Sequence, residues 1–178
     1  MKDHPGSLTI FVPAGKAIAS GLEISCSPRG VNQVRFVRTS RATPCASPTA
    51  RAFAARHGWL APAMKALVRY LDGQPCDLRG IPVDLSGQPP FRRRVQETCR
   101  GIAYGRTLTY AELAERVGVP GAARAVGSAM SHNPVPLLVP CHRVIRGDGG
   151  LGGFSARGGV ALKARLLAME RRDAKLGG

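Results

Sequence analysis

The stretch TLTYAELAERVGVPGAARAVGSAM, residues 107–130, decides the fold of the C-terminal half. Thr109 can cap a helix, and Glu112 three positions on completes a capping box ahead of Leu113 and Val117. Gly118 ends that helix and GVPG makes a tight turn. A second helix follows over AARAVGSAM to about His132 and is stopped at Asn133 by Pro134. Two short helices joined by a brief glycine-containing turn form the helix-turn-helix pattern, although many helical hairpins bind nothing. In the second helix Ala122, Ala123, Ala125, Gly127 and Ala129 are small, and Arg124 is the one long side chain among them. Such a face either approaches the floor of a groove or packs tightly on the preceding helix, and the periodicity does not choose between them.

Upstream, FRRRVQETCRGI predicts another helix, with Phe91, Val95 and Ile102 on its apolar side and Arg92 to Arg94 on a basic one that reads most simply as a solvated face. Before it, residues 74–90 hold four prolines and one short strand candidate, IPVDL, which makes this segment the best linker in the chain. The first forty residues carry β-type runs, LTIFV, LEISCS and VNQVRFVR, separated by Gly, Pro and Ser, and so predict an antiparallel meander. TARAFAARHGW and APAMKALVRYLDG predict two helices packed on it, the second with Met64, Leu67, Val68 and Leu71 at helical spacing. The fold class is therefore α+β, with an N-terminal α/β domain over 1–88 and a mostly helical C-terminal domain over 89–178.

The composition narrows the function. Against 11 acidic residues stand 21 Arg and 5 Lys, a net charge of +15, which points to a polyanionic partner. The guanidinium fork suits phosphate oxygens, although genomic base composition can also enrich arginine. Cys26, Cys45, Cys76, Cys99 and Cys141 form no CxxC pair or close Cys/His quartet, so neither a zinc finger nor a disulfide framework is expected. The apolar N-terminal run is interrupted by Pro13 and Lys16, and no stretch has the length of a membrane helix, so the expected location is cytoplasmic.

Downstream, LLVPCHRVI, residues 137–145, reads as an apolar, strand-like run that carries Pro, Cys, His and Arg inside it. A free thiol near pKa 8.5 is mostly protonated at neutral pH unless a base or cation helps, and His142 and Arg143 adjoin Cys141. A buried cysteine is more often inert, which is the reading taken for the other four.

In this order and spacing, IAYGRTLTYAELA, AARAVGSAM, NPVPLLVPCHRVI and DGGLGGFS closely resemble the O6-alkylguanine-DNA alkyltransferases, also called methylated-DNA–protein-cysteine methyltransferases, over roughly Phe91 to Glu170. The resemblance implies a ribonuclease H-like N-terminal domain and a winged helix-turn-helix C-terminal domain. It also implies a monomer acting on double-stranded DNA containing O6-alkylguanine, by minor-groove binding and base flipping. Cys141 would accept the alkyl group once and irreversibly, His142 would take its proton through a water, and Glu170 would orient His142. Tyr110 would protonate the departing guanine, and Arg124 would enter the stack, with Ala123 and Gly127 on the DNA-facing side of its helix. Asn133 would be the hinge between that helix and the acceptor. Met130, Pro136 and Phe154 would wall the alkyl pocket, while the Val144 carbonyl and the Ser155 backbone would read the guanine edge.

No cofactor or metal is expected: Cys26 falls near a zinc-ligand position of some relatives, but Asn32 stands where a His would be needed. Phe154 replaces a common Tyr, Gln96 and Ala103 replace a common Trp and Pro, and SARGG is about two residues longer than in some members. O4-alkylthymine as a second substrate and cooperation along DNA stay open. The rivals are a winged-helix regulator with a structural Cys141, which leaves PCHRV idle, and a cysteine hydrolase or redox sensor, which leaves the charge idle.

Overall fold

The structure is a computed structural model that describes residues 8–37 and 48–176, so Cys45 lies outside the described residues, as do the side chains at 49 and 173–176. It divides into two compact units, Met1–Asp84 and Leu85–Gly178.

In the first unit, strands β1 (Leu8–Val12), β2 (Gly21–Ser27) and β3 (Gly30–Val37) form one antiparallel sheet in that order. Leu8, Ile10 and Val12 alternate inward, as do Leu22, Ile24 and Cys26, with a register shift between Ser25 and Cys26. Period-two burial of β-branched and aliphatic side chains is what fixes such a register. Helices α1 (Pro48–Arg56) and α2 (Leu60–Leu71) lie against β1, and α2 buries Leu60, Ala63, Leu67, Tyr70 and Leu71.

The expected linker is partly structured. Val31 N donates to the Pro82 carbonyl (2.9 Å) and Asp84 N to that of Val31 (2.8 Å), so Val83 bridges β3, while Leu78 and Ile81 are buried. Its prolines removed donors only at positions where the ladder did not need them.

In the second unit, α3 (Pro90–Arg100), α4 (Tyr110–Arg116) and α5 (Ala123–Ser131) pack on one another. The Thr109 hydroxyl accepts from Glu112 N (3.1 Å) and the Glu112 carboxylate from Thr109 N (2.6 Å). Gly118 and Gly121, both at φ +80°, make the turn into α5. α3 buries Val95 together with Gln96 and Cys99, so its apolar side is less purely apolar than its sequence reading.

Residues 137–143 are not a strand. Leu137 has φ +74°, Pro136 bridges Val139 within a turn, and Cys141–Arg143 form a single 3₁₀ turn. Prolines at 134, 136 and 140 lack the N–H groups a ladder requires, which explains the correction. Only Val144–Ile145 extend, as β5, pairing in parallel with β4 (Leu108–Thr109). That pairing sets Tyr110, the first residue of α4, beside the Cys141–Arg143 turn. Helix α6 (Gly159–Leu176) closes the unit.

Candidate active site

Asn133 organises the approach to Cys141. Its Oδ1 accepts from Val135 N (3.0 Å), and its Nδ2 donates to the Val139 carbonyl (2.8 Å) and to Cys141 Sγ (3.1 Å). One carboxamide thus ties the end of α5 to the turn and touches the sulfur.

Behind the cysteine lies a buried charged cluster. His142 Nε2 donates to Glu170 Oε1 (3.0 Å), while Arg143 reaches Glu170 through Nε (2.9 Å) and Nη2 (2.8 Å) and the Ile102 carbonyl through Nη1 (2.7 Å). Gly105 N also donates to Glu170 Oε2 (3.2 Å), and the Arg143 guanidinium lies 5.7 Å from the Tyr104 ring centre. His142 and Glu170 are almost fully buried. Removing one partner from such a bonded cluster leaves an uncompensated charge in the interior.

The protonation states follow from burial and partners. Burial pushes the Cys141 thiol up, against the Asn133 bond, the Lys163 charge and backbone bonds, so the resting sulfur is a thiol. Burial lowers the His142 pKa even though Glu170 pulls it upward, so the ring is neutral at neutral pH. Burial alone would raise the Glu170 carboxyl, but the hydrogen bonds from His142 and Arg143 and the Arg143 charge outweigh it and hold the group well below the usual carboxylate range. An ionised carboxylate only accepts, so Nε2 carries the ring proton and Nδ1 keeps the basic lone pair.

Cys141 opens on a cavity of about 480 Å³ bordered by Tyr110, Gly127, Met130, Phe154 and Ser155, with Ser131 and Gly153 also on its wall. The Tyr110 phenol is pushed up by burial and by Cys141 and Cys99, so it is a neutral donor. Gly152, at φ +69°, lets that ring approach closely: a Cβ there would stand 3.1 Å from the Tyr110 hydroxyl oxygen. Ala123, Arg124 and Gly127 line a separate groove with Tyr110.

One expected pocket position differs. Pro136 is buried in its turn and is not on the cavity wall, because the chain reverses at Leu137. The Val144 carbonyl accepts from Lys163 Nζ (2.5 Å), which leaves its second lone pair for another donor. Arg143, expected beside the thiol, is instead turned to Glu170. Lys163 is the residue sequence reasoning missed: it is buried, 5.9 Å from the Tyr110 ring centre, and its charge favours the thiolate. Its signal was available, since Lys163 and Glu170 are two helical turns apart on α6, on the face that also buries Leu162, Leu166 and Leu167. Among the described residues no group of three or more His, Cys, Asp or Glu could hold a metal ion.

Fold and site together define a class: a strongly basic α+β protein with a deeply set cysteine on a cavity, a neutral His on a buried carboxylate, and a helix-lined groove next to it. The family model described as "6-O-methylguanine DNA methyltransferase, DNA binding domain" matches residues 90–172. The methylated-DNA–protein-cysteine methyltransferase of Mycolicibacterium paratuberculosis is 46% identical over 66% of this chain and 72% of its own length. The mouse protein of that name is 36% identical over 89% and 77%. A crystal structure of Mycobacterium tuberculosis OGT in complex with DNA superposes with a TM-score of 0.71 at 31% identity, over 94% of this chain and 93% of that one. The chain belongs to the methylated-DNA–protein-cysteine methyltransferase family.

Proposed function

We propose that this protein repairs DNA directly, by moving the alkyl group of an O6-alkylguanine onto Cys141 Sγ in a single turnover. The observation that carries this reading is the cavity whose floor is the Cys141 thiol, with the His142–Glu170 pair behind it and the Tyr110 phenol on its wall. Nδ1 of His142 takes the thiol proton, relayed by one water, and Glu170 steadies the imidazolium that forms. The thiolate attacks the alkyl carbon, a carbon–sulfur bond forms, and the bond from that carbon to O6 breaks. Tyr110 gives its proton to the guanine as negative charge builds, so a neutral base leaves. The proton gained at His142 and the one lost from Tyr110 then cancel through solvent. Lys163, with its charge near the sulfur, favours the thiolate. A thioether is not cleaved by water, so each molecule acts once.

The C-terminal unit is read as a winged helix-turn-helix domain, α5 being the helix that enters the minor groove. Its DNA-facing side carries Ala123 and Gly127, and Arg124 fills the stack from which the damaged nucleotide is flipped. Asn133 is the hinge to the acceptor turn, Met130 and Phe154 flank the alkyl group, and the Ser155 backbone reads the guanine edge. The N-terminal domain, 1–88, is read as ribonuclease H-like and the protein as a cytoplasmic monomer. Among the described residues no helix is long and apolar enough to cross a membrane.

The test is to mix the protein with duplex DNA bearing one O6-methylguanine and weigh it intact and as peptides. A gain of one methylene on the Cys141 peptide, saturating at one per molecule, is expected. Lesion binding with no mass gain would leave a sensor in place of a repair protein.

A further inference from the structure

Next to the acceptor cavity, and sharing Tyr110 and Gly127 with it, runs an open groove of about 470 Å³. Its walls carry two cations, Arg124 on α5 and Arg146 just past β5, and one acid, Asp148. Arg146 Nη2 donates to Asp148 Oδ2 (2.7 Å), with both side chains more than half exposed. We propose that Arg146 is a further DNA-contacting residue, which grips a backbone phosphate of the bound duplex, and that Asp148 holds it ready until the phosphate takes over. This rests on the repair reading and extends it: Arg124 enters the stack, and Arg146 fixes the strand beside it.

The turn itself does not depend on that ion pair. Arg146 N donates to the Gly150 carbonyl (2.8 Å), Gly149 N to that of Arg146 (3.1 Å), and Gly150 N to Asp148 Oδ1 (2.9 Å), with Gly149 at φ +82°. The guanidinium can therefore exchange partners without unfolding its loop. Exposed ion pairs contribute little, whereas a phosphate accepts a charge-assisted, bidentate pair from the same fork. As the one acid on these walls, Asp148 also opposes the polyanion itself, which weakens attachment to undamaged DNA and lets the protein move on.

The experiment is a fluorescence-anisotropy titration of an unmodified duplex at several salt concentrations with the wild-type protein, R146A, R146K and D148N. R146A should bind about tenfold more weakly at low salt, and its slope of log affinity against log salt should fall by about 0.9, the value of one phosphate contact. R146K should keep the slope, which separates the charge from any disturbance of the loop. D148N retains the Oδ1 acceptor for Gly150 N and should bind more tightly. An unchanged slope in R146A, a slope lost equally in R146K, or no tightening in D148N would overturn the assignment. Failure of the wild-type protein to take a methyl group from lesion DNA would sink the repair reading, and the salt slopes would still decide Arg146.

Discussion

The acceptor turn and the groove face are a few residues apart in sequence and built on opposite electrostatic terms. At 141–144 every charged neighbour is buried and multiply bonded: Arg143 is spread over Glu170 and Ile102, and Lys163 over the Val144 and Gly153 carbonyls. At 146–148 the ion pair is open to solvent, and Arg124 is exposed on its helix. The first arrangement fixes atoms for one displacement, in a low-dielectric site where fixed dipoles act strongly. On the repair reading, the second leaves its cations in water, where a duplex would be held through screened phosphate contacts. Burial serves the reaction on that reading, and solvent exposure serves recognition.

The sharpest break of that contrast is at the sulfur. Cys141→Ala should accept no alkyl group while still binding lesion DNA, and a label on this variant in the mass measurement would show the acceptor has been misassigned. Tyr110→Phe keeps the ring and removes the donor, so transfer from duplex DNA should slow by about 10²-fold or more in single-turnover kinetics. A rate within twofold of wild type would remove the phenol from the reaction.

Next in size is the buried cluster. Glu170→Ala leaves Arg143 in the interior without its carboxylate and should cost about 3–5 kcal/mol in urea unfolding. Arg146→Ala, removing half of an exposed pair, should cost at most about 1 kcal/mol. Equal losses would erase the distinction between the two regions. On the groove side, Arg124→Ala should slow duplex repair far more than reaction with the free alkylated base, and equal slowing of both would sink its role in the stack.

The smallest expected effect is in the response to acid. His142 has a folded pKa below its unfolded value, so the unfolded chain binds the extra proton first. Stability should therefore fall as pH drops below about 6.5, the unfolded histidine value. Glu170 is also depressed when folded, so a second loss should begin below about 4.3, the unfolded glutamate value. Urea midpoints across pH should show both legs, and His142→Gln should remove the upper one. A single leg unchanged by that substitution would contradict the neutral buried imidazole.

The α4 cap, the glycine turn and the three strands were legible because each depends on neighbours in the chain: hydroxyl to N3 amide, left-handed φ, period-two burial. Motif order also singled out Cys141 and Tyr110, which line one cavity, and Arg124, which lines the groove beside it. The path of 137–143 was misread as strand-like because apolar residues score alike in a buried strand and a buried turn. What distinguishes the turn is the Asn133 carboxamide bonding along it, together with prolines that deny a ladder.

By itself, then, the sequence determined an α+β chain of basic charge with a cysteine flanked by His and Arg near a helical hairpin, since composition, caps and spacing are local quantities. Only the tertiary structure decided that Arg143 supports Glu170 and leaves the thiol to Asn133 and Lys163. It alone set Lys163 over the Tyr110 ring and Arg146 facing Arg124's groove. Charges find partners by distance through space, and α6 returns to the acceptor turn only after the chain has folded back on it.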